Sequence, residues 1–156
     1  MANEKETLLW SIAFPGFGQF LNGEYIKGVT LIFLELLVNV QANFNKVIIL
    51  SFHGDIEKAI IHADYQWLMF YPCLYSYAMW DAFKGAGGGK YKYPFLPFVF
   101  SAYFVTVGCI YSFKLRLFGV LLGPVWLPML CLVPGLAVRV ILKIIMKKGR
   151  IKAQAS

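Results

Sequence analysis

Charged side chains are scarce in this chain. Of its 156 residues only 15% are Asp, Glu, Lys or Arg, while 59% are hydrophobic. A soluble domain of this size carries roughly a quarter charged residues. The charges are also clustered, which leaves long uncharged windows, and a window of about 18 or more such residues is typical of a transmembrane helix. The composition argues against a separate soluble domain and predicts an all-α, polytopic transmembrane helical bundle.

The motifs of common catalytic machinery are also missing. The sequence contains no Walker, nucleophile-elbow or zinc-protease pattern, so we expect a protein that is not an enzyme and uses no cofactor. The three cysteines follow no metal-binding spacing and are expected to be small buried apolar residues: Cys73, Cys109 and Cys131. The net charge of +7 does not indicate nucleic acid as a partner, because the basic residues flank apolar segments, where they orient the chain and meet lipid headgroups.

Apolar segments divide the chain into four expected full spans and one short broken N-terminal helix. The broken helix covers residues 7–21 and is interrupted at Pro15, so it either crosses with a kink or re-enters without crossing. The spans are expected at residues 25–50, 65–83, 94–113 and 117–138. In terms of organisation, residues 1–84 form one membrane module, 85–93 a Gly/Lys loop, 94–146 a second helix pair and 147–156 a basic tail.

Charge gives an orientation to these spans. The segment from Arg139 to Lys152 holds six cations and no acid, which by the positive-inside rule predicts a cytoplasmic C-terminus in a multi-pass protein of the cytoplasmic membrane. Counting back through four spans places the loop at 84–93 inside and the acidic loop at 51–64 outside. The turn before the last span would lie outside, and its two basic residues, Lys114 and Arg116, are the one feature that disagrees with the positive-inside rule.

One acidic residue falls inside a predicted span. Glu35 lies about 12 Å along the first span at about 1.5 Å per residue, a depth at which a carboxyl group indicates function by default. Asn39 and Asn43 follow at helical spacing, so the three side chains are expected to share one helix face. This polar stripe has two open interpretations: a polar pathway or proton-sensitive site, or interhelical hydrogen bonding with Glu35 protonated. Tyr71 or Tyr75 is the expected partner of Glu35.

The loop at 51–64 contains residue types that bind zinc. The candidates are His53, Asp55, His62 and Asp64. Their spacing matches no strong zinc pattern, so a solvated loop is the interpretation that the sequence favours and no metal is assigned.

Two local interactions are also expected near the ends of spans. Asp81 is placed to reach the interface or to pair with Lys84, three residues further on, and a structural ion pair or an interhelical contact is the expected role. Gly119 and Gly123 form a GxxxG pattern, which is typical of close helix packing, although Pro124 follows it directly.

The stretch FPGFGQFLNGEYIKG, residues 14–28, interrupts the apolar N-terminal region. Its Pro-Gly pair breaks a helix, Gly18 permits close backbone approach, and Gln19 can bond backbone groups that the break releases. The stretch resembles the glycine-rich entry motif of the TM-two domain family of small membrane proteins. The residues that carry this resemblance are Pro15, Gly16, Gly18, Gln19, Phe20, Gly23 and Gly28. Trp80 and Asp81, in WDAF, are similar to the ending of the family's second helix.

The resemblance covers about residues 7–84. It implies a membrane-embedded module without a general enzymatic activity, although here the link between the helices is longer and a second pair of spans follows. We therefore expect a structural, accessory or assembly component of the membrane. The alternative is a subunit of an oligomeric channel or transporter that uses Glu35, Asn39 and Asn43. The expected partners are the lipid bilayer and either further copies of the chain or another membrane protein.

Overall fold

The fold is all-α. A computed structural model describes the backbone of residues 3–90 and 92–154, and side chains as far as residue 138, and 73% of the chain is helical. The helices are α1 (Glu4–Ala13), α2 (Phe17–Leu21), α3 (Tyr25–Gln41), α4 (Phe44–Phe52), α5 (Ile56–His62), α6 (Tyr65–Leu68), α7 (Tyr71–Gly85), α8 (Leu96–Tyr111) and α9 (Gly123–Gln154). Two short antiparallel strands, β1 (Arg116–Leu117) and β2 (Val120–Leu121), precede α9.

Helix α7 lies at the centre of the arrangement. The elements α1, α2 and α3 pack on it, and α8 packs on it as well. Helix α9 packs along α8, while α4 and α5 pack against α9. The N-terminal module and the second helix pair therefore meet along α7 and α8 and also where α4 and α5 pack against α9.

The helices differ in length from the expected spans. Within the described part of the chain, no single helix is both long and apolar enough to cross a membrane, whereas α3 and α4 meet those requirements together, as a pair bent by 63°.

The expected continuous helix over residues 25–50 is wrong. Helix α3 ends at Gln41, and Asn43 has a left-handed backbone with φ of 54° before α4 begins. A left-handed residue ends a helix, and asparagine adopts this conformation at lower cost than most residues. The expected helix over 65–83 is likewise divided, because α6 ends at Leu68 and Pro72 occupies the first turn of α7, where its missing N–H costs nothing.

The last expected span, 117–138, also has different bounds. It begins with the β1–β2 hairpin, whose turn residues Phe118 and Gly119 have φ of 50° and 83°. Positive φ at both central residues is the requirement of a two-residue type I′ turn. Helix α9 then runs from Gly123 through Pro128 and Pro134. Gly119 therefore lies in a turn, and the expected GxxxG helix face is wrong.

Other small residues bring α8 and α9 together. A Cβ atom added to Gly108 would lie 2.9 Å from the Pro128 Cα, and one added to Gly135 would lie 2.6 Å from the Ser101 Cα. Side chains larger than hydrogen at these two positions would push the helices apart. The close approach of α8 and α9 thus depends on two glycines, one on each helix.

Candidate functional site

The glycine-rich stretch lies against the C-terminal half of α7. The amide nitrogen of Gln19, a fully buried side chain, donates to the carbonyl oxygen of Ala78 at 2.9 Å and to Oδ2 of Asp81 at 3.1 Å. The Asn22 amide donates to the carbonyl oxygen of Ala82 at 2.8 Å. We call these five residues the α2–α7 clamp. The clamp joins the two sequence pieces that carry the family resemblance.

Three glycines of the stretch sit where no side chain fits. A Cβ atom on Gly18 would lie 2.0 Å from the Ser11 Oγ. One on Gly16, which has φ of 105°, would lie 2.6 Å from the carbonyl oxygen of Gly28. One on Gly28 would lie 2.5 Å from the ring of Phe20. The glycines therefore allow α1, α2 and α3 to approach one another at backbone distance.

Helices α1 and α2 turn back on each other at Pro15. Thr7, early in α1, lies beside Gly18, which also contacts Ala82 near the end of α7. Further along α1, the Ile12 carbonyl accepts a hydrogen bond of 2.7 Å from the Tyr75 hydroxyl, about two helical turns back along α7. The chain then returns through α2 to the clamp. The segment 7–21 thus begins and ends near the same end of α7.

Asp81 pairs with a residue that the sequence did not suggest. Its Oδ1 lies 3.1 Å from Nζ of Lys27, which also lies 3.1 Å from Oε1 of Glu24. The expected pair with Lys84 is therefore replaced by a contact across 54 positions of sequence. Folding brings the first turn of α3 to the last turns of α7, and Gln19 occupies the other carboxylate oxygen.

The remaining residues of the resemblance pattern have packing and turn roles. The Trp80 ring faces α8 and lies 5.6 Å from the ring of Phe98. Gly23 has φ of 78° and no atom within 4 Å of an added Cβ, so the backbone conformation of the turn selects glycine there. Trp80 consequently links the N-terminal module to the second helix pair.

Glu35 is buried where α3 meets α7. Its side chain is 4% exposed, and its Oε1 accepts a hydrogen bond of 2.6 Å from the Tyr71 hydroxyl. Within the described part of the chain, nothing donates to the buried Oε2. Of the two tyrosines expected as partners, Tyr71 makes this bond, while Tyr75 stacks on the Tyr71 ring at 5.6 Å.

The expected three-residue stripe is shortened by the break after α3. Asn43 lies between the two helices, so it cannot share a continuous helix face with Glu35, and that expectation is wrong. Asn39 remains one turn from Glu35, and its amide donates to Oδ1 of Asn45 at 3.3 Å. Sequence spacing missed the break because no proline or glycine marks it.

The candidate zinc ligands of the loop at 51–64 are engaged locally. Asp55 pairs with Lys58 at 3.1 Å, and a ring nitrogen of His62 lies 2.9 Å from the Lys58 carbonyl. The Asp64 side chain accepts hydrogen bonds from two backbone N–H groups at the start of α6. His53 is the C-cap residue of α4. Across residues 3–90 and 92–138, no three His, Cys, Asp or Glu side chains are grouped as a metal site requires.

The basic residue of the hairpin lies among the acids of this loop. Arg116 lines a shallow hollow together with Asp55 and Glu57. Lys58 lines the same hollow, so Arg116, one of the two cations that oppose the predicted orientation, lies near both acidic and basic side chains.

Comparisons with protein-family models, curated protein sequences and solved structures found no match for this chain. The clamp and the Glu35–Tyr71 pair are thus interpreted from their own geometry. Sequence reasoning identified Gln19, Asp81 and Glu35, but missed Asn22 and Lys27. Their proximity to the glycine-rich turn was the one available signal.

Proposed function

We propose that the chain is an integral protein of the cytoplasmic membrane with a structural, accessory or assembly role and no catalytic activity. One observation carries this proposal: helix α3 has an apolar outer face and a polar residue on its buried face. The buried face contains Gly28, Leu31, Glu35 and Val38. The outer face, which we call the α3 outer stripe, contains Ile26, Val29, Phe33, Leu36 and Val40, which are 85%, 60%, 63%, 52% and 70% exposed.

This arrangement is the reverse of a helix that borders water. Surface helices in soluble proteins bury an apolar stripe and expose polar residues. On α3 the outer stripe follows the helical repeat for four turns, and the acid faces inwards. Exposed apolar patches of this kind mark a surface covered by lipid or by another protein. Lipid suits the stripe because large apolar side chains are also exposed on α1 and α9, including Leu9, Trp10, Leu130 and Val133.

Helix lengths suit a bundle built partly from broken segments. Helix α3 has 17 residues and measures about 26 Å, against roughly 30 Å for the hydrocarbon core. Helix α4 extends α3 at one end, and α6 extends α7 at the same end. The two breaks lie side by side, since the Asp64 N–H donates to the Ala42 carbonyl at 3.3 Å. Short elements thus supply the length that the single helices lack.

The proposed topology follows from the clamp and the basic residues. Lys27 and the 84–93 loop lie at the clamp end of the bundle, as does the start of α1. We place this end in the cytoplasm by the positive-inside rule, with α4, α5 and the hairpin outside. In this topology the segment 7–21 is re-entrant, and the N-terminus is cytoplasmic.

The contacts that the clamp makes between helices support a structural role, although the buried Gln19 Oε1 has no hydrogen-bond partner in the described part of the chain. Both Asp81 oxygens and the Gln19 amide nitrogen are used in contacts between helices. The resemblance to the TM-two domain family supports a membrane module as well. Its partners are the bilayer and either further copies of the chain or another membrane protein.

The second candidate function is a subunit of an oligomeric channel or transporter. The observation that favours it is the buried Glu35 Oε2, which has no partner in the described chain. Asn39 remains on the Glu35 face in this alternative, whereas Asn43 is displaced from it.

Reconstitution into liposomes separates the two candidates. The accessory role predicts that the protein resists extraction by alkaline carbonate and gives no ion or proton flux. Flux that is lost in Glu35→Gln and retained in the exposed control Glu57→Gln would establish the alternative. Release of the protein by carbonate would refute both.

A further inference from the structure

We propose that the β1–β2 hairpin anchors the chain in the outer leaflet of the membrane, with the Phe118 ring among the acyl chains and Lys114 and Arg116 at the lipid phosphates. This inference rests on the proposed membrane topology. It adds an interaction surface and a partner of stated chemistry, phospholipid with anionic headgroups.

The first observation concerns the residue at the turn. Phe118 is 104% exposed, so its ring has no packing neighbour in the described part of the chain. Its φ of 50° is left-handed, a conformation that residues with a Cβ adopt at a cost. Type I′ turns favour Asn-Gly at these two positions. Asparagine would therefore suit the turn better, and no contact within the described chain offsets the cost of phenylalanine.

The surface around Phe118 is also apolar. Leu115 and Val120 are exposed beside it, and we call these three residues the hairpin tip. Turns that border water are built mostly from glycine, proline, asparagine, aspartate and serine. An exposed group of large apolar side chains instead indicates a surface that leaves water.

The flanking helices place the hairpin at the level of the outer lipid interface. Helix α8 has 16 residues and measures about 24 Å, against roughly 30 Å for the hydrocarbon core. The apolar part of α9, Gly123–Val138, has the same length. In the proposed topology both helices meet the cytoplasmic boundary at their other ends, near Lys92 and Arg139. The segment between them therefore begins within the outer leaflet, and water at the headgroup level can bond the short strands.

Two exposed cations flank the hairpin tip. Neither Lys114 nor Arg116 forms an ion pair with another described side chain. Basic side chains beside an inserted apolar surface extend their charged groups to the lipid headgroups. Arg116 also borders the hollow with Asp55, Glu57 and Lys58, so we expect Lys114 to make the stronger lipid contact. The two cations that disagree with the positive-inside rule thus acquire a role at the outer interface.

Fluorescence quenching at single labelled cysteines tests this inference. An NBD group is attached to Phe118→Cys in the cysteine-free full chain, in vesicles of phosphatidylcholine and phosphatidylglycerol. We expect quenching by lipids that carry a nitroxide on the acyl chain to exceed quenching by iodide severalfold. Glu57→Cys, on α5, is the aqueous control and should show the reverse, while Phe33→Cys on the α3 outer stripe is the lipid control.

The outcomes separate this anchor from the membrane location. A label at Phe118 that responds to iodide as the label at Glu57 does would overturn the anchor. A label shielded from both quenchers would also overturn it, because a protein would then cover the tip. Iodide access at Phe33 as well would refute the membrane location itself.

Substitutions at Phe118 separate anchoring from folding. With the label moved to Val120→Cys, Phe118→Asn should reduce lipid quenching severalfold without lowering the unfolding midpoint in micelles, since it creates the preferred turn sequence. Phe118→Leu keeps an apolar side chain and should retain the quenching. Full lipid quenching in Phe118→Asn would show that the ring anchors nothing.

The headgroup contact is tested by changing charge. Lys114→Gln should reduce lipid quenching at Val120→Cys when phosphatidylglycerol is present and have little effect in phosphatidylcholine alone. Lys58→Gln, which removes an exposed lysine paired with Asp55, is the matched control. Equal effects of the two substitutions would contradict a specific contact between Lys114 and anionic lipid.

Discussion

The amide nitrogen of Gln19 lies 3.1 Å from Oδ2 of Asp81, across 62 positions of sequence. This contact fixes the short helix α2 to the far end of α7. Lys27 holds the second oxygen of the same carboxylate. Three elements of the N-terminal module therefore meet at Asp81.

Gln19→Leu should destabilise the protein by about 2 kcal/mol, because it leaves Oδ2 of Asp81 without its Gln19 donor and removes the second donor to the Ala78 carbonyl. The measurement is unfolding in mixed detergent micelles. Gln41→Leu, at an exposed position of the same residue type, is the matched control and should be nearly neutral. Equal losses of unfolding free energy for Gln19→Leu and Gln41→Leu would show that the clamp contributes no stability.

Lys27→Met should lower the free energy of unfolding by less than about 1 kcal/mol, since the lysine side chain is 52% exposed.

Gly18→Val should separate the α1–α2 hairpin from α7. An added Cβ would already lie 2.0 Å from the Ser11 Oγ and 2.7 Å from the Ala82 Cβ. We expect faster proteolysis of α1 and a large fall in thermal stability. Gly23→Asn is the control, because that position has open space and asparagine tolerates its left-handed backbone. A stable Gly18→Val protein with a protected α1 would contradict the packing described.

The re-entrant course proposed for residues 7–21 predicts that the N-terminus and the 84–93 loop face the same compartment. Single cysteines in a cysteine-free chain, at Lys5, Lys92 and Glu57, can be labelled with a membrane-impermeant maleimide. Labelling of Lys5→Cys and Lys92→Cys should require the same side of the membrane, and Glu57→Cys the opposite side. Labelling of Lys5→Cys from the Glu57 side would mean that α1 and α2 cross.

Sequence reasoning was most informative where backbone chemistry is local. Pro15 and Gly16 predict the turn between α1 and α2, because proline and glycine restrict or free the backbone at their own positions. The expected depths of residues in the first two antiparallel spans limit the partner of Glu35 to Tyr71 or Tyr75. Asp81 was identified as noteworthy, but Lys27 was missed because its partner depends on how α3 packs on α7.

Hydropathy does not reveal the helix breaks within the expected spans. Hydropathy treats Ala42 and Asn43 as an ordinary part of residues 25–50, while the backbone turns there by 63°. Asparagine carries a weaker signal than glycine for a left-handed conformation, so the pattern favoured one helix. The close approach of α8 and α9 was missed for a related reason: Gly108 and Gly135 are isolated on separate helices and form no spaced pair.

The central claim is that lipid covers the outward face of α3, and spin labels on the α3 outer stripe test it most directly. Labels placed singly at Ile26, Val29, Phe33, Leu36 and Val40 can be measured in vesicles by collision with oxygen and with a water-soluble nickel chelate. We predict high oxygen access at the three middle positions, with nickel access confined to the ends of the stripe. High nickel access along the whole stripe would place this face in water and contradict the account.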